Sequence, residues 1–460
     1  MHDLTQGPVS GCVVRMAIPI AIGMIFQTLY FLIDLYFVGR LGGTAIAGVS
    51  AAGNVSYIVI GLTQVLAVGT GALVAHAVGR RDLDDANLIF NQSVAMAAAL
   101  AAGTLLVGYV AGPWYVRNLG ADAATSNAGR VYLYWYLPGL ALQFAMVGMS
   151  AALRGTGIVK PTMFVQMLTV ACNVVLAPVL IGGWGTGYPL GVAGAGLATS
   201  LSIAFGVAVL AFYFVRLEHT VAVRRPLLRP RMREWRRILA VGLPSGGEFL
   251  MLFANMAVIY WVIARFGAES QAGFGIGQRV MQTMYLPVMA IAFAASPVAA
   301  QNFGAGKYAR VRETFRFAAW LGAGFMLALC VIAHWRPATM IGAFTNEARA
   351  IAVGTEFLRY ATLNFVATGL ILTCSGMFQA VGNTVPSLLS SGARLVTFVV
   401  PAVLIARLPA LQLHHVWWLS VATMNAQAAL SLWLLRREFV RRLVPHGGSA
   451  QPMAFSTATQ

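Results

Sequence analysis

The sequence predicts an all-α integral membrane protein, with twelve transmembrane helices in two pseudo-symmetric six-helix bundles. Three observations carry this: pervasive apolarity, apolar runs of spanning length, and an internal repeat at a constant offset. Of 460 residues, 59% are apolar and only 10% charged, with 48 glycines and a mean hydropathy of +0.75. A soluble chain carries roughly a quarter charged residues. Apolar runs of about 20 residues, long enough to cross the hydrocarbon core, recur throughout. They centre near residues 27, 62, 101, 142, 171, 203, 250, 286, 325, 367, 397 and 425. A transmembrane β-barrel would show short alternating strands instead.

Taken in order, residues 1–13 read as an N-terminal cytoplasmic segment. The first ten residues are polar without Lys or Arg, and the apolar run that follows exceeds a signal-peptide core, so the first helix is expected to be retained. Helices one to six occupy 14–216. The interval RLEHTVAVRRPLLRPRMREWRR, 216–237, is the longest polar stretch and the most charged. It reads as a basic cytoplasmic linker (217–236), with an interfacial helix near Met232 to Arg237. Helices seven to twelve fill 237–436, and 437–460 form a cytoplasmic tail.

The repeat has an offset of 225 residues. Pro19 maps to Pro244, Arg40 to Arg265, Gly42 to Gly267, Gly79 to Gly304, Leu133 to Leu358, Gly157 to Gly382 and Pro161 to Pro386. Each half has six helices, so both enter and leave on the same side. The repeats are therefore parallel, related by an axis along the membrane normal, and two such bundles leave a cleft suited to alternating access.

The net charge of +17 is distributed as a membrane protein requires. With both termini cytoplasmic, the connections after even-numbered helices and the tail hold 20 of the 31 Lys and Arg; the opposite loops hold seven, Arg40, Arg117, Arg130, Arg265, Arg336, Arg349 and Arg407. This is the positive-inside bias. The basic excess faces anionic lipid head groups rather than nucleic acid. Cys12, Cys172, Cys330 and Cys374 show no metal-ligand spacing and read as small apolar side chains.

Only two of the 14 acidic residues, Asp34 and Glu248, lie well inside spans. A charge at the bilayer centre costs at least ~2.5–3.5 kcal/mol, so such a residue marks a site or is kept neutral. Asp34 lies six residues before Arg40, roughly 9 Å below the outer end of its helix. Gln27, Tyr30 and Asp34 are spaced i, i+3, i+7 and share a face. A carboxylate beside a phenol and an amide can hold a proton or a small cation; the alternative is an aspartate hydrogen-bonded between helices. In the seventh helix Glu248 and Asn255 share a face and could meet a cationic substrate, or Glu248 could pair with Arg279, Arg359 or Arg394. Gln278, Gln282 and Tyr285 share a face of the eighth helix, where lining the cleft and packing are equally open. Abundant Met and Phe suit an adaptable cleft but name no ligand.

The segments LYFLIDLYFVGRLGG, GTGALVAHAVGRRD, ALRGTGIVKPTM and GVAGAGLATS resemble the multidrug and toxic compound extrusion (MATE) family, prokaryotic type, over residues 14 to 436. The resemblance implies a cation-coupled antiporter exporting amphipathic organic cations through two lobes. It also implies an ion-coupling cluster of Asp34, Tyr30, Asn173 and Thr199, with Pro19 as the bending point of the first helix. Where relatives commonly read N-x-x-x-D-P, this chain has Asn173 followed by Ala177 and Pro178. One N-lobe carboxylate is thus missing, which favours H⁺ over Na⁺ as the coupling ion. A monomer is expected in the bacterial inner membrane, with no cofactor and no metal beyond Na⁺ at Asp34.

Other classes fit less well. A flippase for lipid-linked saccharides, or another lipid precursor, would present a cationic cleft, an idea that Arg279, Arg359 and Arg394 keep open. An enzyme would need converging catalytic groups, and the seven His are scattered. A channel is disfavoured by the two-lobe repeat. No Walker motif is present.

Overall fold

The computed structural model describes residues 3–119, 122–218, 220–406 and 412–443. Among them every regular element is helical. The first lobe contains α1 (Val9–Gly39), α2 (Gly43–Gly53), α3 (Val55–Gly79), α4 (Leu83–Leu119), α5 (Ala123–Gly155), α6 (Lys160–Gly182) and α7 (Val192–Arg216). The second contains α8 (Met232–Ile263), α9 (Ala268–Gly304), α10 (Tyr308–Trp335), the short α11 (Pro337–Gly342), α12 (Ala348–Ala361), α13 (Phe365–Ala380), α14 (Val385–Ile405) and α15 (Leu413–Arg442). Because α2 with α3, and α12 with α13, each form one interrupted span, the total is twelve. Eleven meet the length and apolarity of a spanning helix. The twelfth, α15, is 30 residues long but diluted by His414, His415, Asn425 and Gln427. Its Gln427 is buried and bonds Ser391 at 3.1 Å, so the polarity is turned into the bundle.

Helices in lipid gain little from apolar contact and pack where small residues let backbones approach. Here those positions obey the repeat. Gly129 lies against the carbonyl of Gly48, and Gly354 lies the same way against Gly273, 225 residues on. A Cβ on Gly129 or Gly354 would come 2.9 Å from that carbonyl oxygen. Each lobe also has its own aromatic core, with Phe90 stacked on Phe214 at 4.7 Å in the first and Phe274 on Trp417 at 5.7 Å in the second.

The lobes are cross-braced. The opening helix of each packs both on its own lobe and on the opposite one: α1 against α6 and α9, α8 against α14 and α3. Val9, Val13, Met16 and Ala17 of α1 are buried against Ala294 and Val298 of α9. The seam is closely packed where α3 and α9 end, with Gly79 against the Gln301 backbone and Gly304 against His76, and equally where Gly69 and Gly242 join α3 to α8. Towards its other end α1 presents an exposed apolar face of Ile25, Leu29, Leu32 and Tyr36.

One local reading of the basic linker changes. Met232 to Arg237 is no separate interfacial helix but the first turns of α8, because the apolar face resumes at Ile238 without a breaker. The preceding stretch is laced to α4 by side-chain amides. Asn87 bonds the backbone of Thr220 and Ala222, Asn91 that of Ala222 and Arg224, and Gln92 that of Leu227, Arg229 and Arg231. Arg407 and residues 444–460 of the expected tail lie outside the described residues.

Candidate functional site

In the first lobe, α1, α3, α5, α6 and α7 converge on one polar pocket. Tyr30 turns inward, and Asn173 Nδ2 on α6 donates to its hydroxyl at 3.4 Å. Tyr132 and Tyr136 of α5 lie within electrostatic range of Asp34. The Tyr136 hydroxyl also pairs with Ser56 Oγ at 3.0 Å. What distinguishes the pocket is the state of its oxygens. Asp34 Oδ1, Asn173 Oδ1 and Thr199 Oγ1 are all buried, and none has a hydrogen-bond partner. Buried acceptors normally find a donor, and one left bare costs ~1–3 kcal/mol. Three such oxygens are brought together here, from α1, α6 and α7. Gln27, by contrast, is exposed and makes no hydrogen bond to this cluster.

Pro19 lies inside α1, removing one hydrogen bond of its ladder. It follows directly on the half of α1 buried against α9 and precedes the exposed half that carries Tyr30 and Asp34.

The second lobe has a different character. Glu248 forms no ion pair with Arg279, Arg359 or Arg394; instead Ser375 of α13 donates to its Oε2 at 2.9 Å, and Ser387 of α14 donates to Ser375 at 3.2 Å. The rival expectation of an intramembrane ion pair therefore does not hold among the described residues. Asn255 is 3% exposed, and both its Oδ1 and Nδ2 lack partners. Tyr285 packs edge-on against Phe365 with its hydroxyl buried and unpartnered. Gln278 donates to Met256 Sδ at 2.8 Å, and Gln282 is exposed. No group of three or more His, Cys, Asp or Glu side chains is placed to hold a metal among the described residues.

Sequence reasoning passed over Ser56, Tyr132, Tyr136, Ser375 and Ser387. The spacing of Tyr132 and Tyr136, one turn apart and just ahead of Pro138, is the signal available for the tyrosines. The serines carry no signal until α13 and α14 are docked.

Comparison with known proteins places this geometry. A family model described as MatE matches residues 19–179 and again 244–404, two segments separated by the repeat offset. The multidrug export protein MepA of Staphylococcus aureus is 25% identical over 389 residues, 83% of this chain and 84% of MepA. The solved outward-facing conformation of a multidrug resistance MATE family transporter superposes with a TM-score of 0.89 at 25% identity, covering 95% of this chain and 98% of that one. A transporter of the MOP superfamily from Pyrococcus furiosus, described as having a binding pocket of reversed polarity, gives 0.88 at 26% identity over 95% and 97% of the two chains.

Proposed function

This chain belongs to the MatE family of multi-pass membrane proteins, and we propose that it is a cation-coupled multidrug antiporter exporting amphipathic organic cations by alternating access. The observation that carries the reading is the trio of bare buried oxygens, on Asp34, Asn173 and Thr199. An acid in that setting takes a proton or a cation readily and, once neutralised, loses its attraction for a cationic substrate. Competition of the two for one carboxylate couples them. Pro19 then serves as the hinge at which the outer half of α1 bends while the inner half stays pinned to α9.

Proton coupling is the favoured form. Only one of the three oxygens is anionic, Ala177 supplies none, and a hard cation such as Na⁺ asks for several oxygen ligands. Membrane orientation follows from charge. Arg80, Arg81, Lys307, Arg310 and Arg312 lie at the end where the lobes close, which the positive-inside bias assigns to the cytoplasm of a bacterial inner membrane. The cleft then opens outward, in keeping with the outward-facing relative. The exporter is proposed to work as a monomer without a cofactor.

Asp34→Asn in everted membrane vesicles tests this. The variant is expected to insert and fold yet lose gradient-driven uptake of an organic cation, with wild type driven by a pH gradient alone. Undiminished transport by the variant removes Asp34 from the mechanism; drive by a sodium gradient alone reverses the choice of ion.

A further inference from the structure

The two lobes are homologous in backbone but differ in the buried charges they carry. The first presents a lone carboxylate. The second, besides Glu248 held by serines, presents a guanidinium with a buried Nε, Arg394 of α14, whose repeat equivalent is the neutral Thr169. Arg394 has no carboxylate within ion-pair distance among the described residues, and its buried Nε has no hydrogen-bond partner. A guanidinium in the hydrocarbon zone without an anion is expensive, and such residues ordinarily pair or serve a ligand.

Its neighbourhood is equally unsatisfied. Helices α8 and α14 run side by side in the same direction, with Thr384 Oγ1 bonded to the Val241 carbonyl at 2.6 Å and Gly247 facing Leu388. Asn255 lies eight residues past Gly247 and Arg394 six past Leu388, so that register sets the two at about the same level. The Asn255 amide is 3% exposed and both its polar atoms are bare. Tyr285 of α9, close enough to Arg394 for the charge to act on it, carries a third bare group, its buried hydroxyl. Guanidinium, amide N–H and phenolic O–H are all donors, and all can turn to one anion.

We propose that Arg394, Asn255 and Tyr285 form an anion subsite in the second lobe, which holds the carboxylate of a zwitterionic amphiphile whose cationic end is read elsewhere in the cleft. This rests on the exporter reading above and assigns the anionic end of such a substrate to the second lobe. The planar fork of Arg394 matches a carboxylate in two parallel hydrogen bonds, which a lysine cannot reproduce.

Rhodamine B, which carries a free carboxylate, and its ethyl ester, a plain cation, form a matched pair of probes. Binding of each to the purified full chain in phosphatidylcholine nanodiscs is read by fluorescence polarisation. Arg394→Gln is expected to weaken rhodamine B at least tenfold and leave the ester within twofold of wild type. Arg394→Lys should recover only part of the loss, and Tyr285→Phe should repeat the selectivity more weakly. Equal losses for both dyes, or no loss for the acid, overturn the subsite while leaving the exporter intact. Failure of wild type to bind either dye sinks the exporter reading and this one with it. Nanodiscs containing phosphatidylglycerol supply a further arm: if that lipid displaces rhodamine B from wild type, the site belongs to a lipid phosphate and the proposal is overturned. A variant that does not fold is recognised by loss of ester binding as well, and Tyr285→Phe then decides.

Discussion

His76 on α3 reaches across the seam between the lobes and places its Nε2 2.6 Å from the carbonyl oxygen of Ala380 on α13. Adding 225 to the donor gives Gln301, and taking 225 from the acceptor gives Gly155; Gln301 Nε2 donates to the Gly155 carbonyl at 2.8 Å. One bond is thus made twice, once in each direction, by two different side chains. Its acceptor being a carbonyl, His76 must carry a proton on Nε2. Losing this donor leaves a buried carbonyl bare, at about 1–3 kcal/mol. His76→Leu should therefore shift the closed seam towards opening by about 5- to 150-fold, while His76→Gln, a copy of the partner's chemistry, should hold it. Spin-label distances between Ala124→Cys and Phe344→Cys, at the cleft end of the two lobes, report the shift.

Close approach of the two helices at the seam depends on two glycines. A Cβ on Gly79 would collide with the Gln301 carbonyl, and one on Gly304 with that of His76. Backbone cannot yield as a flexible side chain does. Gly79→Val and Gly304→Val are each expected to bar the closed seam and cut export more than tenfold, with normal insertion. Gly103→Ala on α4, where a Cβ meets nothing within 4 Å, should be silent. Unequal effects of the first two would break the symmetry argument.

Beneath the seam the N-terminal residues form a strap. Leu4 N donates to Gln301 Oε1 at 3.1 Å, and Lys307 Nζ donates to the Thr5 carbonyl at 2.8 Å. Asp3 anchors the strap by accepting from Thr5 N at 2.9 Å and Thr5 Oγ1 at 2.6 Å. Burial pushes the Asp3 carboxyl up, but the Thr5 hydrogen bonds and the Lys307 charge outweigh it and hold the group below its ordinary value. A depressed carboxylate contributes stability that is present above the unfolded pKa, about 3.9, and is lost as pH falls through the folded one. Hydrogen-exchange protection of residues 4–6 should stay level from pH 7 down to about 5 and fall below about 4. Asp3→Asn should remove that dependence.

How much of this was legible beforehand differs by kind of interaction. Spans and repeat depend on local composition and on spacing along the chain, so the parallel two-lobe plan, and Asp34 sharing a helix face with Tyr30, could be read directly. Pairings made at long sequence separation could not. Arg394 was a natural partner for Glu248 in a list of buried charges, but it lies two turns further along α14 than Ser387, and serines took the acid instead. The amides of Asn87, Asn91 and Gln92 look like stray polarity at the start of a span. Their meaning appears only when the linker, more than 120 residues later, is laid against them. Ile238 continuing the face of α8 explains why the basic turns before it joined the helix rather than lying on the membrane.

Thr199→Val and Asn173→Leu separate the two candidate coupling ions. If a proton is the guest, the chemistry is that of Asp34 alone, and its neighbours only tune it; each variant should lower pH-driven transport by less than about tenfold, the scale of one lost hydrogen bond. If Na⁺ were the guest, Thr199 Oγ1 and Asn173 Oδ1 would be ligands. Either variant would then raise the half-saturating sodium concentration steeply, while Asp34→Asn abolished coupling in both cases. Initial rates across a series of sodium concentrations at fixed pH make the distinction, with sodium-independent rates expected.

The amide lacing on α4 yields the last prediction. Asn91 Nδ2 donates to the Ala222 carbonyl at 2.9 Å while its Oδ1 accepts from Arg224 N at 2.8 Å, so one side chain satisfies two backbone groups of the linker as a neighbouring strand would. Asn91→Leu keeps the volume but strips both bonds, leaving two backbone groups bare at about 1–3 kcal/mol apiece. Arg224 and Arg225 follow directly, and a local opening frees the backbone at the Arg224–Arg225 bond for trypsin, the bond after Arg225 being blocked by Pro226. Since cleavage tracks the open population when reclosing is fast, the variant should be nicked there at least tenfold faster. Asn91→Asp is the sharper comparison, for its carboxylate can still accept from Arg224 but cannot donate to Ala222. Its cleavage rate should fall between wild type and Asn91→Leu, and a rate equal to the leucine variant's would show that the donated bond alone holds the linker down.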